Sequence, residues 1–465
     1  MEMKKIFLIL LVLISITNAP AQTVSHVNQA GNLIVEEEVF LPVGFYCEYM
    51  YFPAYPDLAQ QMYDGGFNTI VSETTVPDTT SYKVFLDECQ TLGLKNIIVL
   101  PLHSQDSTRF KNYINALKSY PSIIAWNLLY NASYHEISDI AAQKQKLLEL
   151  DSSRVSTAEF ERIHPPFQYM LNYLETSIFY QGPWGYPWGI TPDLDLVAYR
   201  YRFHAKTADT NGLFPMVIAQ THTWESNSFP PPAHLDCQSY LGFVTGNKGV
   251  LFYAFTDSEN NTTINISQPE LYAAATNVAT EILQSELKEV ILHGEHQYFN
   301  INQYRHYATW RYNDAFYVIA TNASPDNSYD YEIPLPEGVS GEATNFFDYR
   351  PNSLSVQNGK LTGELAPYQV AIYKINESPK AITSREIGSK VRAYPNPTTG
   401  EIYITGTDET LNCKIYNATG ICVVSLSGIS GNAPVNIRHL PDGMYFIFLH
   451  GNDLSTYQPI KIIKT

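Results

Sequence analysis

Cysteine is scarce in this chain, with five in 465 residues, so no disulfide scaffold holds it together. Cys47, Cys89 and Cys237 sit among apolar residues and read as buried thiols. Cys413 and Cys422 flank a predicted hairpin turn, where a cross-strand bridge stays open because sequence does not fix register. Basic residues are also few. Lys and Arg number 29 against 46 Asp and Glu, a formal net charge of −17, which excludes a phosphate-binding basic face and with it nucleic acid. Beyond the N-terminus no apolar run reaches the ~20 residues of a membrane helix, so the mature chain carries no transmembrane segment. Several chemistries lack their motifs. There is no Gly-x-Gly-x-x-Gly after the first predicted strand, no Gly-Lys-Ser/Thr phosphate loop, no Gly-x-Ser-x-Gly and no His-Glu-x-x-His. The twelve His form no close ligand set, and neither cofactor nor metal is expected. "DSENNTT", Asp257 to Thr263, offers oxygen atoms without the spacing of a calcium loop and reads as a solvated loop.

What is present describes a folded secreted protein. Hydrophobic residues make up 45% and charged ones 16%, outside the range of disordered chains. Lys4-Lys5, an apolar run from Ile6 to Ile16 and Ala19-Pro20-Ala21 have the layout of a signal peptide over 1–21, with a mature start at Gln22. Short apolar runs at 43–49, 67–73, 96–103, 123–131, 155–160, 177–181, 216–221 and 249–255 alternate with amphipathic helical segments. The helices are expected over 57–63, 82–92, 109–117, 136–150, 196–208, 235–244 and 269–287. Strand and helix in alternation imply right-handed crossovers and a parallel sheet. Eight units in ~250 residues fit an α/β fold of the (β/α)8 barrel type.

The pattern changes near 289. Segments at 307–312, 315–320, 329–333 and 369–373 alternate apolar and polar residues between Asn, Asp, Gly and Pro turns, as in an antiparallel β-sandwich. The expected domains are therefore a barrel with an N-terminal hairpin over 22–288, a sandwich over 289–375, a polar linker over 376–390 and a small all-β unit over 391–465. That last unit carries "YPNPTTG" (Tyr394–Gly400), "CKIYNATG" (Cys413–Gly420), "LPDGMYFI" (Leu440–Ile447) and a closing "KIIK" (Lys461–Lys464). It resembles the type A sorting domain of the Bacteroidetes type IX secretion system. The resemblance implies the secretion machinery as a partner and export to the cell surface or medium.

A barrel of this kind places its site at the C-terminal ends of the strands. Those ends carry Glu48, Glu73, His103, Asn131, Glu159, Glu161, Trp184, Trp188, Gln220, His222, Trp224 and Asp257. Aromatics reach 13%, and three of the five Trp follow the sixth and seventh predicted strands. The Gly/Pro-braced loop "FYQGPWGYPWG" (Phe179–Gly189) presents four aromatics beyond Phe179, flat faces suited to the C–H surfaces of sugar rings.

Further stretches carry a second resemblance. "NLIVEEEVFLPVGFY" (Asn32–Tyr46), "SIIAWNL", "LFPMVIAQTHTW", "GNKGVLFYAF" and the closing "LAPYQVAIYKI" resemble clan A glycoside hydrolases and their relatives over Leu33 to Ile375. Such enzymes use two carboxylates, ~5–5.5 Å apart for retention or ~6.5–9.5 Å for inversion. In that clan the acid/base Glu ends the fourth strand and the nucleophile Glu ends the seventh. Here the two places hold Asn131 and Gln220, so the usual pair is missing. The nearest downstream carboxylate, Glu136, falls at the start of the next helix.

Replacement carboxylates are available at other strand ends. Glu159 is the candidate acid/base, Glu48 or Glu73 the candidate nucleophile or base, and Glu225 a further candidate. Trp184, Trp188 and Trp224 are expected to stack on a poly- or oligosaccharide, with His103, His222, Asn131 and Gln220 meeting its hydroxyls. Two readings follow: hydrolysis by a noncanonical carboxylate pair, or a noncatalytic glycan binder on a retired hydrolase barrel, in which the two amides simply hold sugar.

Overall fold

The computed structural model describes residues 23–47, 57–72, 79–132, 137–161, 165–180, 193–223, 228–257, 260–336, 339, 342–376, 391–406, 410–418, 422–430, 432–451 and 459–465. The chain divides into two compact units, Met1–Glu377 and Ser378–Thr465.

The barrel occupies the first part of the first unit. Its strands are Val43–Cys47, Thr69–Ser72, Lys95–Val99, Ile123–Asn127, Val155–Thr157 with Glu159–Phe160, Thr176–Phe179, Phe214–Gln220 and Gly249–Tyr253. All neighbouring pairs are parallel, and the eighth strand returns to the first through Val250 opposite Val43. The fifth strand closes the ring in two pieces. Its first half pairs with the fourth strand, Ala125 opposite Val155, and its second with the sixth, Ile178 opposite Glu159, with Ala158 between them. Because helices cover the outside and side chains fill the inside, these strands read as apolar runs rather than alternating patterns. Val43–Cys47 is buried at every position.

A small sheet of Ser25–Val27, Leu33–Val35 and Glu38–Val39 lies at the N-terminal end of the barrel. Ser25 Oγ donates to Ile124 O at 2.5 Å, and Lys248 Nζ donates to Gly31 O at 2.8 Å and Asn32 Oδ1 at 2.9 Å. Those contacts leave the opposite, C-terminal end as the mouth.

Two helices depart from expectation. Pro165–Leu171 is a helix between the fifth and sixth strands where none was expected. Its Pro-Pro start reads as a break, yet proline suits a first helical turn, where its missing N–H is not needed. The expected helix 269–287 ends at Leu283, and a separate helix, Leu287–His293, begins after Ser285 Oγ accepts from Leu287 N at 3.1 Å. The first strand of the sandwich is Glu295–Asn302.

The sandwich has a five-stranded antiparallel sheet ordered Glu295–Asn302, Arg305–Tyr312, Ala315–Asn322, Val370–Asn376, Ala343–Asn345. Facing it is a three-stranded sheet of Tyr329–Pro334, Lys360–Leu365 and Leu354–Gln357. Strand Ala315–Asn322 is buried throughout because both its faces are covered. Val318 and Ala320 point to the sandwich core with Tyr331, Ile333 and Leu361, whereas Tyr317 and Ile319 belong to the core shared with the barrel.

The second unit pairs one three-stranded sheet with one four-stranded sheet over a core that includes Ile402, Ile404, Ile415, Ile447 and Ile462. Two of its motifs meet. Asn396 of the Pro-Asn-Pro turn donates through Nδ2 to Lys461 O at 2.7 Å and accepts Ile463 N at 2.9 Å, tying that turn to the closing strand Ile460–Lys464. Gly400, at φ 138°, lies so close to Arg438 that a Cβ would come within 2.4 Å of its side chain. The cysteine question is answered by register: Cys413 stands opposite Leu426 and Cys422 opposite Tyr416, so the two thiols do not bridge. Cys47, Cys89 and Cys237 are buried thiols, as expected.

Candidate functional site

Lateral neighbours in a parallel sheet share a face, so the register shows what lines the mouth. Val99 stands beside Asn127, Asn127 beside Thr157, Glu159 beside Ile178, and Gln220 beside Tyr253. Tyr253 in turn packs its ring 5.5 Å from that of Tyr46 on the first strand.

Glu159 is 2% exposed and accepts from Asn127 Nδ2 at 2.5 Å. Backbone bonds from Leu128 N to Thr157 O at 2.8 Å and from Glu159 N to Leu129 O at 3.1 Å hold the seam that brings the two side chains together. Asn127 was not singled out from the sequence, although it lies within "SIIAWNL"; an apolar run gives no sign of which residues face inward until its partners are known. Glu161 is buried two residues further on. Its charge acts on Arg200, whose guanidinium is lowered by burial and partly restored by that carboxylate.

Asn131 is partly buried and adopts φ 53°, the left-handed region that Asn tolerates better than most residues. Its amide therefore sits on a backbone bend at the end of the fourth-strand segment. Gln220 is fully buried: its Nε2 donates to His222 O at 3.0 Å, and its backbone N donates to Gln238 Oε1 at 3.0 Å. The position where the resembling enzymes carry a nucleophile thus holds an amide that braces the loop after the seventh strand.

His222 is half-buried, with Nδ1 2.9 Å from Tyr253 O and its ring edge-on to Tyr253 at 4.8 Å. Burial pushes it down to about 4, against the support of that carbonyl, so the ring is neutral at pH 7. A carbonyl only accepts, which places the proton on Nδ1 and makes Nε2 an acceptor, suited to a hydroxyl donor. His103 is half-buried, edge-on to Phe110 at 5.3 Å, and its backbone N donates to Gln143 Oε1. Gln143 also donates through Nε2 to Leu128 O at 2.5 Å, pinning the third- and fourth-strand loops to one helix, Ile137–Leu150.

Glu48, Glu73, Trp184, Trp188, Trp224, Glu225 and Glu136 lie outside the described residues, as do the expected signal peptide and most of the expected linker. In the loop beginning at Asp257, Asn260 and Asn261 are exposed, whereas Asp257 is buried and accepts from Asn260 N at 3.2 Å and Asn260 Nδ2 at 2.9 Å, bracing its own turn. Among the described residues no group of three or more His, Cys, Asp or Glu is placed to hold a metal.

Two crevices of about 420 and 570 Å³ lie away from the mouth. Two basic side chains of the first meet backbone carbonyls. Arg202 Nη1 donates to Thr245 O at 3.2 Å and His296 Nε2 lies 3.0 Å from Val244 O, both at the C-terminal end of helix Pro232–Val244. A buried relay of Ser177 Oγ, His204 and Asn247, at 2.9 and 2.8 Å, has the spacing of a catalytic triad. All three residues are buried, His204 on helix Asp195–Thr210 itself, so the relay serves the core.

With this geometry in view, the comparisons divide the chain. Residues 392–464 match the family described as the secretion system C-terminal sorting domain, and the second unit is such a domain. It directs export by the type IX secretion system to the cell surface or the extracellular space. No curated protein matches the sequence. Among solved structures, the γ-CGTase of the alkalophilic Bacillus clarkii is similar at 12% identity and TM-score 0.50, over 94% of this chain and 84% of that one. The α-amylase of Geobacillus thermoleovorans is 12% identical over 69% of this chain and 91% of that one, TM-score 0.49. The endo-β-1,4-mannanase of Thermotoga petrophila is 12% identical over 92% and 98%, TM-score 0.43. At this identity the first likeness shows the fold alone: an α/β barrel followed by antiparallel sheets.

Proposed function

We propose that the first unit is a secreted carbohydrate-processing protein that hydrolyses O-glycosyl bonds of a poly- or oligosaccharide. The observation that carries this reading is Glu159: a carboxylate at the mouth end of a barrel strand, buried and fixed by a side chain from the adjacent strand. A buried carboxyl held by a neighbouring side chain is the kind of group that hydrolytic sites employ. Glu48 or Glu73 supplies the second carboxylate. Trp184, Trp188 and Trp224 stack on sugar, His103, His222 and Asn131 meet hydroxyls, and Gln220 acts behind His222 by fixing its loop. The signal peptide and the sorting domain take the protein to polymers outside the cell.

A second reading, a noncatalytic glycan binder, is favoured by one observation. Where the resembling enzymes have a nucleophile at the end of the seventh strand, the amide serves the backbone: Gln220 donates to His222 O at 3.0 Å. The mature full chain and Glu159→Gln, assayed side by side on a glycan panel for binding and product release, separate the two. Release lost in the variant supports the enzyme. Binding by both without release supports the binder.

A further inference from the structure

Asn127 ends the fourth barrel strand with its side chain wholly buried, and its Nδ2 donates to Glu159 Oε1 at 2.5 Å. An amide nitrogen has hydrogens to give and no acceptor lone pair. The oxygen facing it is therefore an acceptor, as both oxygens of an ionised carboxylate are. With the amide reversed, two oxygens would meet at that distance unless Glu159 carried a proton. A donor held on a carboxylate favours its charged form, and burial opposes it.

Among the described residues, the following charged and titratable groups face this contact. The fourth strand, Ile123–Asn127, and the sixth, Thr176–Phe179, bring none. On the fifth-strand side Glu161 follows, its charge shared with Arg200 of helix Asp195–Thr210. Beyond the seventh strand His222 is neutral. Glu48 and Glu73 lie outside the described residues.

We infer that Asn127 is the positioning residue of Glu159 and holds it ionised, which assigns Glu159 the proton-accepting or nucleophilic role rather than that of proton donor. This rests on the hydrolase reading and reverses the division of roles expected from the sequence, leaving the donor's part to Glu48 or Glu73.

The test is a carboxyl-¹³C NMR titration of the glutamate-labelled full chain, with the Glu159 signal assigned by its loss in Glu159→Gln. In Asn127→Ala the Glu159 midpoint rises by about one pH unit or more, the scale of losing one hydrogen bond to a charged group. A midpoint unchanged, or lowered, overturns the inference. Should Asn127→Ala fail to fold, Asn127→Ser is titrated in its place. The exchange pair Asn127→Asp with Glu159→Gln gives a second readout, because it preserves a carboxylate–amide contact with its direction reversed. It melts close to the parent yet releases no product; product release at the parent rate would show that the contact is structural only. The titration uses no sugar. A raised midpoint without product release by the parent rejects hydrolysis and leaves the Asn127–Glu159 assignment standing, whereas an unchanged midpoint with product release rejects only this assignment.

Discussion

Asn131 shows how a substitution can be a matter of backbone as well as of chemistry. At φ 53° a residue pays for Cβ contacts that Asn tolerates through its short polar side chain. Putting the expected acid back, as Asn131→Glu, therefore costs about 1 kcal/mol of stability and does not raise product release; a melting curve and the glycan panel check both. A gain in hydrolysis would mean that the bend is incidental. At this scale the sequence was only partly legible. Glu159 stood out because a carboxylate at a strand end is visible in one dimension. Its partner Asn127 did not, because an inward-facing amide inside an apolar run becomes significant only once the register places it beside Thr157. Gln220 was seen but read as facing sugar, where the folded chain turns its amide to a loop carbonyl.

Among elements, the parallel strands were the most legible, since burial on both faces leaves apolar runs that turns then punctuate. The helix Pro165–Leu171 was hidden by its own prolines, and Leu287–His293 by its continuity with the preceding amphipathic pattern. How the sandwich joins the barrel was not legible at all, because it depends on side chains distant in sequence from their partners, Arg350 among them. Arg350 forks onto Asp236 at 2.8 and 2.9 Å and onto Glu281 at 2.6 Å, with its guanidinium 4.9 Å from the Tyr240 ring. The two acids belong to helices Pro232–Val244 and Pro269–Leu283 of the barrel. Arg350→Met takes the cation from both carboxylates, leaving Glu281 with the hydroxyls of Tyr240 and Tyr349, and is expected to lower stability by about 3 kcal/mol. Adding Asp236→Leu and Glu281→Leu should recover most of that loss, since an apolar replacement of a whole buried cluster is often near neutral. Urea unfolding of the single and triple variants measures the difference. Equal stability of Arg350→Met and parent would remove the clamp from the account.

At the scale of the whole molecule, pH and export give two further expectations. Burial pushes His204 down to about 4 and His234 to about 3, while the unfolded chain titrates near 6.5. Folding thus excludes protons from these rings, and their contribution is complete above pH 6.5 and lost as pH falls toward 4. The slope approaches 1.4 kcal/mol per pH unit for each ring, about the limit for one proton. Urea midpoints between pH 7.5 and 4.5 should fall accordingly, and His204→Gln should flatten the decline. Export depends on the second unit, whose match over 392–464 was visible from motifs in fixed order. A chain lacking 391–465 should stay inside the outer membrane, as fractionation and surface proteolysis would show.

On the proposed hydrolase function, Glu159 works with a second carboxylate across a sugar at the barrel mouth. A crystal of Glu159→Gln soaked with an oligosaccharide that the panel identifies tests it most directly. The account predicts a sugar ring between residue 159 and Glu48 or Glu73, with the two groups separated by ~5–9.5 Å. Sugar bound elsewhere, or no second carboxylate within about 10 Å of residue 159, would contradict it.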